Sequence, residues 1–157
     1  MYVFSSEFED LTEFLEKLTA FSFDQNLKKL VDYLKVKIDT MLKDFRDDDF
    51  SLCIVEGNIA TGKTTKIAQW CLEQENLQKI PEPVGDWQKI FVKKGNEVVD
   101  SFSEFYAEIG RKEPHCYIFM FELIAFYTRF MSLIFTLKDV NYKNFITERC
   151  FLTDRYF

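Results

Sequence analysis

The stretch Glu56-Gly57-Asn58-Ile59-Ala60-Thr61-Gly62-Lys63-Thr64-Thr65 constrains this chain more than any other, because Gly57-x4-Gly62-Lys63-Thr64 has the spacing of a phosphate-binding loop. Such a loop needs a strand running into it and a helix leaving it. Here an apolar strand candidate at residues 50–55 precedes it, and a helix candidate beginning near Lys63 follows. Glycines let successive backbone N–H groups turn toward one anion, and the helix N-terminus adds a partial positive charge. Residues 57–65 are therefore read as a cradle for a nucleoside triphosphate. Lys63 reaches the β and γ phosphates, and Thr64 offers its hydroxyl to Mg²⁺. The bland alternative is a glycine turn that merely links strand and helix; the spacing, the Lys-Thr pair and the flanks all weigh against it.

With 157 residues and 47% apolar side chains, the chain has the size of one domain with a small appendage and ample material for a core. A net charge of −6 supplies no basic face that would release counterions from a nucleic acid, so no nucleic-acid partner is expected. The Lys93-Lys94 pair reads as a solvated turn. Cys53, Cys71, Cys116 and Cys150 lie far apart and make no metal-ligand spacing, as expected of reduced, mostly buried thiols in a cytoplasmic protein. The acidic N-terminus does not resemble a signal peptide. Residues 117–137 imitate a membrane span, yet they include Glu122 and Arg129, each costing about 2.5–3.5 kcal/mol at mid-bilayer. A buried helix, and no membrane partner, is the better reading.

Residues 5–46 read as two amphipathic helices. Ser6-x-x-Glu9 has the form of a capping box, and Phe8, Leu11, Leu15 and Leu18 recur on one face. After a break at residues 21–24, a second stripe contains Leu27, Leu30, Val31, Leu34, Ile38, Met41, Leu42 and Phe45. This N-terminal extension, residues 1–48, is expected to form a helical hairpin that packs on the domain or on a second subunit. From residue 49 the pattern becomes α/β: strand, loop, helix over 64–77, and strand over 78–80 ended by Pro81-Glu82-Pro83. A weakly patterned stretch with a helix over 102–108 follows, then the apolar helix over 117–136 and a strand over 144–147.

Ligands of open parallel sheets gather beyond the carboxyl ends of the strands. Three strand candidates end at Gly57, Glu82 and Glu148-Arg149, so three sets of polar groups converge. Glu82 suits a base for an attacking hydroxyl, Glu148 completes a Mg²⁺ shell with Thr64, and Arg149 offsets phosphoryl charge. Taken singly, Glu82 is equally a solvated turn residue, and Glu148-Arg149 a surface ion pair. Glu122 and Arg129 are seven residues apart, on one face of a helix. They form either a mutual pair capping the core or a hydrogen-bonding wall for a polar ligand. Trp87 is either a core aromatic or a plate for a base or sugar.

Four segments together resemble the deoxynucleoside kinases related to deoxycytidine and deoxyguanosine kinase: EGNIATGKTT, PEPVGDW, FMFE followed by Arg129, and ERCFLTDRY. The resemblance runs from about residue 52 to residue 157, weakest between 85 and 114. It implies a nucleoside-kinase-like parallel sheet, of which three strands in the spatial order 2-3-1 are present. It implies ATP with Mg²⁺ as donor and a deoxynucleoside as acceptor. By the same resemblance Glu82 is the base on the nucleoside 5′-hydroxyl, Trp87 packs near the substrate, and Glu148 stands on the Mg²⁺ side. Arg149 holds Glu82 and the phosphates, while Arg129 and Asp154 read the base edge, leaning away from thymidine. Tyr106 is the candidate for the sugar 3′-hydroxyl.

Two departures accompany the resemblance. Glu122 stands where the family has a base-bonding glutamine. A carboxylate only accepts, which suits the N1–H and N2–H₂ donors of guanine better than the N3 acceptor of cytosine, so Glu122 either shifts preference toward a guanine-type edge or spoils nucleoside binding. Relatives also continue through further strands, an arginine-bearing lid and an adenine loop beyond the point matched by residue 157. The resemblance then implies an unpaired outer edge on residues 50–56, with the missing half supplied by a homodimer mate or complementing chain, covered by the N-terminal helices, or absent at the expense of catalysis. The leading reading is an ATP-dependent deoxynucleoside kinase. The alternatives are a catalytically inactive nucleotide-binding module that docks a partner, and another small-molecule kinase.

Overall fold

The computed structural model describes residues 10, 11, 13, 14, 23–43, 45, 48–58, 60–94, 97–109 and 116–149. Their elements, in chain order, are α1 (Phe23–Lys43), β1 (Ser51–Val55), α2 (Lys63–Glu73), β2 (Leu77–Ile80), α3 (Val84–Trp87), β3 (Phe91–Lys94), β4 (Glu97–Asp100), α4 (Ser101–Ile109), α5 (Cys116–Leu137) and β5 (Asn144–Glu148). Two compact units result, one of residues 1–38 and 84–125, the other of residues 39–83 and 126–157.

The second unit contains a three-stranded parallel sheet in the order β1-β5-β2. Its last strand in sequence lies at the centre, the arrangement the family resemblance implies. Phe145 of β5 is in register with Leu52 on one side and Gln78 on the other, and Thr147 with Ile54 and Ile80. Position in the sheet decides burial. Phe145 and Ile146 on the central strand are 1% and 2% exposed, whereas Ile54 on β1 is 40% exposed and Cys53 is exposed as well. The expectation of mostly buried thiols therefore fails at Cys53, because among the described residues β1 has a strand neighbour on one side only. Ile80, Leu137 and Phe145 form the core beneath the sheet, packed by Phe45, Phe50, Leu52, Leu133 and Tyr142. Phe50 meets both Phe45 and Phe145 edge-on, with centroids 6.2 Å apart in each pair. Such contacts add about 0.5–1.5 kcal/mol each beyond area burial.

Helix α2 ends at Glu73, four residues before the sequence-based boundary, and Gln74 adopts an extended conformation. Leu77 therefore opens β2, and the N–H of Leu77 donates to the Gln74 carbonyl at 3.0 Å to close the turn. The described side chains of the apolar helix α5 are buried or half-buried except that of Phe119, with Ile124 and Tyr127 fully covered and Met131 1% exposed. No described helix is long and apolar enough to cross a membrane.

In the first unit, Leu11, Leu30 and Leu34 are buried as the stripes require, while Val31 turns outward. Asp10 pairs with Lys37 at 2.9 Å, and Phe14 stacks on Tyr33 with centroids 4.1 Å apart, so Asp10 and Phe14 lie against α1. Ser6, Phe8, Glu9, Leu15 and Leu18 lie outside the described residues. The weakly patterned stretch holds a short helix and an antiparallel hairpin, β3 with β4, in which Val92 is paired with Val99. Lys93 and Lys94 are thus strand residues rather than a turn. Asp100 caps α4, accepting from the Ser103 N–H at 2.8 Å, in the manner of an N-cap carboxylate.

Candidate active site

The phosphate-binding loop joins β1 to α2, and its backbone is held in conformations that side chains disfavour. Gly62 stands at the helix N-cap with φ 79° and ψ 15°, in the left-handed region open to glycine at no steric cost. Gly57 has φ 151°, and a Cβ there would come within 3.3 Å of Thr61 Oγ1. The Thr61 hydroxyl closes the loop internally by donating to the Asn58 carbonyl at 2.9 Å. No side chain caps α2, so the amides of its first turn remain available to an anion. Lys63 is 9% exposed, and its ammonium donates to the carbonyl oxygens of Gly57 at 3.0 Å and Asn58 at 2.7 Å. The charge is therefore already inside the loop, satisfied by oxygen acceptors of the kind a phosphate supplies. Among the cofactor-binding candidates, Ile59 lies outside the described residues.

Thr64, on the first turn of α2, donates its hydroxyl to the Glu148 carboxylate, with Oε1 at 2.8 Å and Oε2 at 2.7 Å. Octahedral Mg²⁺ holds oxygens at about 2.0–2.1 Å, which puts neighbouring ligand oxygens about 2.9 Å apart. The hard oxygens of Thr64 and Glu148 fit that spacing. Among the described residues there is no cluster of three or more His, Cys, Asp or Glu side chains that could cage a metal.

Glu82 follows β2 at its carboxyl end. The Arg129 guanidinium of α5 donates to Glu82 Oε1 from Nη2 at 2.8 Å and from Nε at 3.3 Å, with the two side chains only 16% and 24% exposed. Arg129 was expected at the base edge and Arg149 on Glu82; the guanidinium bonded to Glu82 is that of Arg129. Arg149 lines the same cavity. That cavity brings Glu82 and Arg129 together with Glu148 and Arg149, above a floor that includes Leu52, Ile54 and Thr147. Of the three strand ends expected to converge, those at Glu82 and at Glu148-Arg149 meet in this lining, while β1 contributes Leu52 and Ile54 rather than Gly57 and the phosphate loop joins through the Thr64–Glu148 bond.

Ala60 and Arg149, each with φ 64°, are the two non-glycine residues with positive φ among those described. Each such residue costs of order 1–3 kcal/mol, and such strain clusters at functional sites. Arg149 is pinned in that conformation by its backbone N–H, which donates to the Val55 carbonyl at 3.1 Å. The bond extends the β5 ladder one residue past the strand and fixes the Arg149 backbone beside the start of the phosphate loop.

Three other candidates belong to the first unit. Trp87 is 5% exposed, set edge-on against Phe121 at 5.8 Å and tilted against Phe102 at 6.1 Å. Tyr106 is 56% exposed and also meets Phe102, at 5.0 Å. Glu122 is half-buried on α5. Asp154 lies outside the described residues. One participant escaped the sequence reading: Ser132, 1% exposed, whose hydroxyl donates to the Pro81 carbonyl at 2.6 Å. The available signal was a hydroxyl three residues after Arg129, on the same face of the helix.

No curated protein matches the chain. The sequence model of the family described as deoxynucleoside kinase matches residues 52–157, well over half of the chain and every element of the parallel sheet. With a phosphate loop, a Thr-Glu oxygen pair and an Arg-held carboxylate all inside the matched region, the chain belongs to the deoxynucleoside kinase family.

Proposed function

We propose that the protein transfers the γ-phosphoryl group of ATP to the 5′-hydroxyl of a deoxynucleoside. The observation that carries this reading is the cavity shared by Glu82, Arg129, Glu148 and Arg149 at the carboxyl ends of the parallel strands. Phosphoryl transfer asks a protein mainly for positioning and charge stabilisation, which these groups are suited to supply. Both bonds from Arg129 to the Glu82 carboxylate fall on Oε1, which leaves Oε2 to take the proton of an attacking hydroxyl. Lys63 exchanges its bonds to the Gly57 and Asn58 carbonyls for charge-assisted bonds to phosphate oxygens. Thr64 and Glu148 would hold Mg²⁺, which when bound would neutralise phosphate charge. Arg149 offsets charge that develops as the bond to the leaving oxygen breaks.

The half-buried Glu122 supports a guanine-type base, because a carboxylate pairs with donors and guanine presents two of them. The free thiols of Cys53 and Cys71 support a reducing, cytoplasmic setting. Transfer of label from γ-labelled ATP with Mg²⁺ to each of the four deoxynucleosides tests the proposal, with Lys63→Met as control. Turnover on deoxyguanosine above deoxycytidine, reversed by Glu122→Gln and lost in Lys63→Met, is the expected result. A folded wild-type protein with no turnover on any nucleoside would refute it.

A further inference from the structure

The segment that presents Glu82 has little means of holding itself in place. It reads Pro81-Glu82-Pro83, and neither proline has an N–H, so the segment keeps a single backbone donor, that of Glu82, and relies mainly on its carbonyl oxygens for anchorage. Helix α5 supplies the anchor. Ser132, 1% exposed, donates its hydroxyl to the Pro81 carbonyl at 2.6 Å, immediately before Glu82. One turn earlier on the same helical face, Arg129 holds Oε1 of Glu82 itself at 2.8 and 3.3 Å. A single face of a buried helix thus grips the backbone on the N-terminal side of Glu82 and one of its two carboxylate oxygens.

We propose that Ser132 is a positioning residue for Glu82: together with Arg129 it forms a two-point clamp that fixes the second carboxylate oxygen in space. The inference rests on the reading of Glu82 as the base. The chemistry requires such a device, since a catalytic group must be held to within about 0.5 Å of its productive place, and a displacement of about 1 Å can lower a rate about 10²-fold. The Arg129 contact alone leaves the carboxylate free to pivot about Oε1, because both of its donors meet the same oxygen. Fixing the Pro81 carbonyl orients the peptide that leads into Glu82 and so narrows that freedom. Ser132 touches no reacting atom in this scheme and acts only through the chain it holds.

The test uses the full chain and two readouts, one of them independent of turnover. In Ser132→Ala, amide exchange over residues 79–84 should accelerate about tenfold or more, with β1 and β5 unchanged. In the same variant kcat should fall by about 10- to 100-fold while KM for ATP stays within about twofold. Ser132→Thr keeps the hydroxyl and should recover at least half of the lost kcat on a logarithmic scale. Thr136→Ala, which removes the neighbouring bond from the Thr136 hydroxyl to the Ser132 carbonyl at 2.7 Å, should leave both readouts unchanged. The clamp is overturned if exchange over residues 79–84 keeps its wild-type rate in Ser132→Ala, or if exchange rises uniformly across the sheet. It is equally overturned if exchange rises locally in an active enzyme without a fall in kcat. Absence of turnover in wild-type protein overturns the kinase reading instead, and with it the positioning role, whatever the exchange rates show about the turn.

Discussion

The Thr64 hydroxyl lies 2.7 and 2.8 Å from the two carboxylate oxygens of Glu148, joining the first turn of α2 to the end of β5 across 84 residues of chain. Two polar groups brought together at that separation, next to a phosphate loop, present the hard oxygens to which the proposed function assigns Mg²⁺. Thr64→Ala and Glu148→Gln should each raise the Mg²⁺ concentration needed for half-maximal turnover by about 10- to 100-fold. Glu148→Gln leaves an acceptor for the Thr64 hydroxyl, so its effect should fall on Mg²⁺ dependence more than on thermal stability. Rates measured against Mg²⁺ concentration decide the point. Identical Mg²⁺ curves for wild type and both variants would rule out the assignment.

Gly62 offers a cleaner test of backbone strain than most glycines. Its φ is 79°, yet a Cβ added there meets nothing within 4 Å. Any loss on Gly62→Ala is therefore conformational rather than steric, and about 1–2 kcal/mol is expected. Urea unfolding should show a lower midpoint with an unchanged slope. A loss of less than about 0.3 kcal/mol would contradict the conformation assigned to the N-cap of α2.

Burial in the sheet predicts a strong asymmetry between two apolar side chains. Phe145 on the central strand is 1% exposed and belongs to the core with Ile80 and Leu137, whereas Leu72 on α2 is 87% exposed. Phe145→Ala should cost about 3–5 kcal/mol, a large share of the stability of a chain this size. Leu72→Ala should stay within about 0.5 kcal/mol of wild type. Comparable losses in the two variants would mean that β5 is not the central strand.

The half of the chain built around the phosphate loop was legible in the sequence because several local signals agree there. A β-branched and apolar run, a glycine loop of fixed spacing and a helix start follow one another over residues 51–73, and the strand order follows from the family resemblance. The hairpin β3–β4 was not read, although Gly95-Asn96 between Phe91-Val92 and Val98-Val99 is a recognised two-residue hairpin signal. Lys93 and Lys94 hid it, since consecutive charges break the alternation expected of a half-buried strand. At the candidate site, Glu82, Thr64, Glu148 and Lys63 could be singled out because each stands at the end of a strand or the start of a helix. Which arginine would meet Glu82 was not legible. That choice depends on how α5 packs over the end of β2, a tertiary relation with no local signature, and Ser132 went unnoticed for the same reason.

The most direct test of the account is kcat for Glu82→Gln against wild type, with deoxynucleoside and ATP both saturating. The substitution retains size and an acceptor for Arg129 but removes the base. A fall of about 10²–10⁴-fold in kcat, with nucleoside KM changed by less than about threefold, is the predicted result. Turnover within tenfold of wild type would show that Glu82 does not take the proton, and the proposed chemistry would be contradicted at its centre.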